Sequence, residues 1–153
     1  MTAITLDHER AQLALQAVQE IAEGDLNIAK KFRSYVESLP AIIVRNGLGQ
    51  ALAMEAANGK VGKKDNNAND SESTEEKKDK PDEIAHKKLY GIVSKWILQR
   101  VYGIQDEPSP LQVIDEIISS DQMTYMRAQE EALLLLQWVK RFANATIERD
   151  SND

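Results

Sequence analysis

Residues Glu130 to Ala143 read EEALLLLQWVKRFA, and this stretch decides the fold class. Its apolar residues fall on more than one face of a helix, the pattern of a helix wedged among several others. Asp121 supplies a side-chain cap for its start, and the apolar spacing carries it to about Ile147. Upstream, Ser109-Pro110 pairs a cap with a first-turn proline and opens a short helix through Ile117 and Ile118. Leu89, Ile92, Val93, Trp96, Ile97 and Val101 mark another helix before it. Near the amino terminus, Ala11, Ala14, Leu15, Val18, Ile21 and Ala22 recur at helical spacing, with Thr5 as the cap and Gly24 as the stop. Asp25 caps a second helix over Leu26 to Glu37, with Ile28, Ala29, Phe32, Tyr35 and Val36 along one side. A third is expected from Ser38 or Leu39, with Pro40 in its first turn, through Ile42, Ile43, Leu48, Ala51, Leu52 and Ala56. Period-two alternation is scarce. The predicted architecture is all-α, a compact helical bundle of about five to six helices.

The 153 residues make one ordinary domain, and 42% of them are apolar, enough for a core. With 19 basic against 25 acidic residues the formal charge is −6, which argues against a free-standing, non-specific nucleic-acid binder. There is no cysteine, so thiolate metal sites, disulfides and cysteine nucleophiles are excluded. The start MTAITLDHERAQLA lacks the basic and apolar regions of a signal peptide. The longest apolar run, Ala132 to Leu136, is far short of the roughly 20 residues that span a bilayer. These features describe a soluble, cytoplasmic protein without a membrane partner. Asn58 to Glu83, NGKVGKKDNNANDSESTEEKKDKPDE, holds six lysines and eight acids and almost nothing apolar. It reads as a flexible polar insertion (58–83) within a single helical domain (1–153), and ERDSND at 148–153 reads as a solvated tail.

Motifs for chemistry are thin. Gly59-Lys60-Val61-Gly62-Lys63-Lys64 lacks the first glycine and the final hydroxyl of a phosphate-binding loop. Glu83-Ile84-Ala85-His86 has the spacing of a di-iron ligand pair, but no second such pair exists, so no metal or cofactor is expected. Asp115-Glu116 and Glu130-Glu131 are adjacent and diverge by about 100° around a helix, which suits solvated faces better than one shared metal. The residues specify no enzyme. Two glycines in Arg45-Asn46-Gly47-Leu48-Gly49 interrupt an apolar pattern, and close helix packing or a kink accounts for them better than RNA or a neighbouring subunit approaching the backbone. Trp138 is expected in the core rather than as a base-stacking platform. Basic residues give the one suggestive pattern: Lys30, Lys31 and Arg33 in the second helix, Arg45, then Lys87, Lys88, Lys95 and Arg100, and finally Lys140-Arg141. Acids gather elsewhere, so the helices have the means to align these into one basic face, the alternative being an ordinary mixed-charge surface.

The stretches Leu39 to Ala53, LPAIIVRNGLGQALA, and Thr124 to Ala145, TYMRAQEEALLLLQWVKRFANA, resemble the two signatures of the small helical subunit of type III-B (Cmr) CRISPR effector complexes. In the second, Tyr125, Arg127, Glu131, Ala132, Leu133, Trp138, Lys140, Arg141, Phe142 and Ala143 fit the pattern; Arg10-Ala11 with Ala14, Ala17 and Val18 is a weaker match. The resemblance implies a non-catalytic subunit that lines up in a minor filament beside other subunits and helps hold guide RNA and target RNA in antiviral defence. It makes Arg45, Lys140 and Arg141 the foremost candidates for RNA-backbone or subunit contacts. Lys95, beside Trp96, joins them from the residues alone, as do Lys30 and Lys31. The competing reading is a stand-alone helical protein–protein adaptor with no nucleic-acid role.

Overall fold

A computed structural model describes residues 4–63 and 79–150. Among these residues it contains six helices: α1 (Leu6–Ala22), α2 (Leu26–Asn46), α3 (Leu48–Asn58), α4 (Pro81–Arg100), α5 (Gln112–Ser119) and α6 (Gln122–Thr146). There is no strand among the described residues. Caps anticipated from sequence set three of the starts. Thr5 Oγ1 accepts from His8 N at 3.2 Å, Asp25 Oδ1 from Asn27 N at 2.8 Å, and Asp121 Oδ1 from Thr124 N at 2.8 Å.

Helix α6 is the wedge that its apolar girth requires, packing against each of the other five helices. Leu135 and Leu136 meet Phe32, Leu39, Ile43, Leu48, Leu52, Leu89 and Ile97 in one continuous core, all fully buried. Helix α2 runs antiparallel to α6: Arg33 reaches Asn144 and Ile147 near the end of α6, while Leu48, just past the end of α2, bonds Gln129 nearer its start.

Helix boundaries differ from the sequence reading in the middle of the first block. No break falls at Ser38 or Leu39. Helix α2 continues through Pro40 to Asn46. Proline inside a helix costs about 3 kcal/mol. Leu39 and Ile43 extend the Phe32 and Val36 stripe beyond that point, and each is worth about 1.5–3 kcal/mol when fully buried. Burial wins, and the helix tolerates the proline. The break comes at Gly47 instead, whose φ of 87° and ψ of 157° suit glycine and little else.

Both edges of the 58–83 stretch make contacts with the bundle. Val61 N bonds Ala56 O at 2.9 Å, and the Val61 side chain packs on the core. At the other end Pro81-Asp82-Glu83 form the first turn of α4, with Glu83 bonded to Lys60 Nζ at 2.8 Å. The remainder of the insertion, 64–78, lies outside the described residues. In the tail, Asp150 is half-buried and pairs with Lys31 at 3.9 Å, so it is not simply solvated. The fifth helix starts at Gln112, two residues after Pro110, because Ser109 N bonds Gln112 Oε1 in a preceding turn.

Candidate functional site

Helix α6 presents its functional side chains from a polar clamp that the sequence reading missed. Glu131, expected on a solvated face, is only 8% exposed. Its two oxygens take the Arg10 fork from α1, Nε to Oε1 at 2.9 Å and Nη2 to Oε2 at 2.7 Å. Trp96 of α4 donates its indole N–H to the same Oε1 at 2.9 Å. Arg10 also reaches Asp7 at 3.1 Å, and Trp138 Nε1 donates to that aspartate at 3.0 Å. Three helices are thereby pinned in register. Burial pushes the Glu131 carboxyl up, but the hydrogen bonds from Arg10 and Trp96 and the Arg10 charge outweigh it and hold the group below its ordinary range. Trp138 itself is half-buried, stacks on Phe142 and packs against the core. The signal was available in the sequence: one arginine and one glutamate at otherwise apolar positions of their stripes call for each other.

The six candidate basic residues fall in three places. Lys140 and Arg141 are exposed on α6, one turn before Asn144, and make no ion pair among the described residues. Asn144 accepts from Arg33 of α2 at 3.0 Å, which brings the start of α2 with Lys30 and Lys31 to the same end of the bundle. Lys30 is half-buried, and Lys31 is engaged by Asp150. Arg33 is spent structurally, donating to Ile147 O at 2.7 Å and closing the end of α6. Arg45 is exposed at the far end of α2, about 20 Å along the helix from Lys31. Lys95 lies elsewhere, on the wall of a groove between α1 and α4. The basic residues therefore do not align on one face; four of them share one end.

Other singled-out residues have structural occupations. Gly49 N donates to Tyr125 Oη at 2.9 Å and Leu48 N to Gln129 Oε1 at 3.0 Å, so α6 caps the start of α3. A side chain at Gly47 would stand 3.0 Å from the same tyrosine oxygen on a backbone whose φ of 87° already favours glycine, whereas one at Gly49 would make only ordinary contact at 3.5 Å. Glu83 and His86 turn to different partners. His86 Nδ1 lies 2.7 Å from Glu55 Oε2, and its ring stacks on Tyr35 at 3.7 Å. Glu55 is buried, which pushes its carboxyl above the ordinary range despite the His86 hydrogen bond. No group of three or more metal-ligating side chains occurs among the described residues.

The family model for CRISPR-associated protein Cas_Cmr5 matches residues 6–146. The chain belongs to the Cmr5 family. It is thus a small subunit of the Cmr (type III-B) CRISPR machinery, as its two signatures indicated. Its fold is similar to the X-ray crystal structure of a CRISPR-associated Cmr5 family protein from Thermus thermophilus, at 25% identity and a TM-score of 0.65. That match covers 95% of this chain and 100% of the other. The polar clamp and both signatures lie inside the matched span. Membership in a multi-subunit complex displaces the reading as a stand-alone adaptor. No helix among the described residues is long and apolar enough to cross a membrane.

Proposed function

We propose that this Cmr5-family chain is a non-catalytic subunit that holds guide RNA and target RNA within the effector complex by phosphate contact, in a minor filament beside the other subunits. The observation that carries the reading is the exposed Lys140-Arg141 pair, unpaired among the described residues and set on a helix that Arg10, Trp96 and Glu131 lock in place. Lys30 and Lys31 at the same end extend the positive potential, while Arg45 is a separate contact at the other end. Phosphate contact suits these residues better than base readout, because the nearby aromatics Trp138 and Phe142 stack on each other. The net charge of −6 means that the isolated chain should bind RNA weakly and depend on its neighbours for retention.

Catalysis has no place in this reading. The Glu131 carboxylate is consumed by Arg10 and Trp96, and Glu83 and His86 serve other partners. The purified chain is expected to cleave neither RNA nor DNA with any divalent metal. Metal-dependent cleavage that follows the protein through purification and vanishes on a carboxylate substitution would contradict this.

The test of the RNA role is a complex reconstituted from purified subunits with wild-type chain or with Lys140→Glu plus Arg141→Glu. The variant should fold and assemble, and the complex should lose guide–target duplex more readily as salt rises. Undiminished retention in a folded, assembled variant would reject these two residues.

A further inference from the structure

Residues 101–111 leave the end of α4, arch back over it and lead into α5. Both feet of the arch are tied to α4. Ile104 N donates to Leu98 O at 2.8 Å, and the Tyr90 hydroxyl donates to Pro110 O at 2.7 Å. Pro108 and Pro110 fix their backbone torsions and stiffen the span. A cavity of about 570 Å³ lies between the arch and α4, with Val113 of α5 and Val61 completing its walls. Its lining is mostly apolar. Gly91 leaves part of the α4 wall bare, since a side chain there would meet no atom within 4 Å.

Ser94 lines the same cavity from the middle of α4 and is only 7% exposed. Its hydroxyl has no hydrogen-bond partner among the described residues. It does not bond back to the carbonyl one turn earlier, the usual recourse of a serine inside a helix. The Tyr90 hydroxyl lies close enough to be influenced by it, but that proton is committed to Pro110 O and the two oxygens form no hydrogen bond of normal geometry. A buried hydroxyl without a partner is a cost that alanine would avoid. Packing alone therefore gives no reason for serine here. The charges around the cavity balance, Lys87 and Lys95 against Asp106 and Glu107, so no net charge selects an ion.

We infer that the cavity between α4 and the 101–111 arch is a small-molecule site for an uncharged, largely apolar ligand with one amide end. The amide carbonyl accepts from Ser94 Oγ, and the amide N–H meets a lone pair of Tyr90 Oη. The apolar body lies against Leu98, Ile104 and Val113. The feet of the arch, Tyr90 and Leu98, stand about 12 Å apart along the helix, which suits a ligand of about ten non-hydrogen atoms. The site uses neither Lys140 nor Arg141, so it and the RNA reading fail separately.

The experiment titrates the full chain, carrying labelled Ile, Leu and Val methyl groups, with benzamide, benzoate and toluene while its NMR spectrum is followed. Benzamide should bind saturably with a Kd on the order of 1 mM. It should shift the methyls of Leu98, Ile104 and Val113 and leave those of Leu135 and Leu136 in the core unmoved. Benzoate should bind at least about tenfold more weakly, because an apolar lining does not repay the hydration of a carboxylate. Ser94→Ala should weaken benzamide roughly three- to tenfold and leave toluene unchanged. The same variant should melt within about 2 °C of wild type, since its hydroxyl has no bond in the chain to lose. No saturable binding, or shifts that map elsewhere, overturns the inference and leaves Ser94 meeting water only. Benzamide affinity untouched by Ser94→Ala overturns it as well. A fall of several degrees in that variant's melting temperature does the same, by showing the hydroxyl engaged within the fold. Benzoate binding as tightly as benzamide overturns the assignment to an uncharged ligand.

Discussion

Glu131 is the residue on which the most depends. Replacing it by alanine leaves the Arg10 guanidinium, 8% exposed, without its bidentate partner and strips the acceptor from Trp96. Breaking a buried pair on one side costs about 3–5 kcal/mol, so Glu131→Ala should lower the denaturation midpoint sharply. The pH dependence follows from the direction of its shift. The folded chain holds this carboxyl below the ordinary 4.5, so its stabilisation is complete above that value and is lost as pH falls through the depressed one. Glu55 contributes with the opposite sign: burial raises it, and the cost of its charge is relieved on acidification. Wild type should therefore exceed Glu131→Gln in melting temperature at neutral pH, and the gap should close in the acid range. A gap that stays constant with pH would mean that the carboxylate charge contributes nothing. Adjacent glutamates illustrate what sequence hides: Glu130 is exposed and Glu131 buried, and only the partner across 121 positions separates them.

Among elements, the α2–α3 junction shows where local signals compete. Proline at position 40 is a strong breaker, yet a continuous buried stripe outweighs it and the break moves to Gly47. Gly47→Ala should cost about 1–3 kcal/mol, because alanine disfavours this backbone and its side chain would press on Tyr125 Oη. Tyr125→Phe should cost less, about 1 kcal/mol, by freeing one hydrogen bond to Gly49 N. If Gly47→Ala melts as wild type does, the junction is not the constrained hinge described. Helix number, the wedge character of α6 and three caps were legible because they depend on spacing and short-range hydrogen bonds. The Pro40 and Gly47 outcome was not, because it turns on tertiary burial that propensity does not contain. The contacts at the insertion's edges were hidden for the same reason: Val61 and Glu83 sit in polar sequence and are held by Ala56 and Lys60.

Across the whole molecule, charge is sorted by helix rather than gathered on a single face. Lys140, Arg141, Lys30 and Lys31 share the end where α2 begins and α6 closes, Arg45 stands at the opposite end, and Lys95 faces α1 across a groove. The candidate residues were visible in the sequence as isolated cations, but their grouping depends on which helices run antiparallel, which composition does not report. This division suits a subunit that meets RNA phosphates at one end. The phosphate claim is most directly tested by the salt dependence of duplex retention in the reconstituted complex. Each phosphate contact contributes about 0.7–0.9 to the slope of log affinity against log salt. Lys140→Glu with Arg141→Glu should therefore flatten that slope by roughly 1.5 while the complex stays assembled. A slope identical to wild type, in a complex that carries the variant chain, would show that these residues touch no RNA.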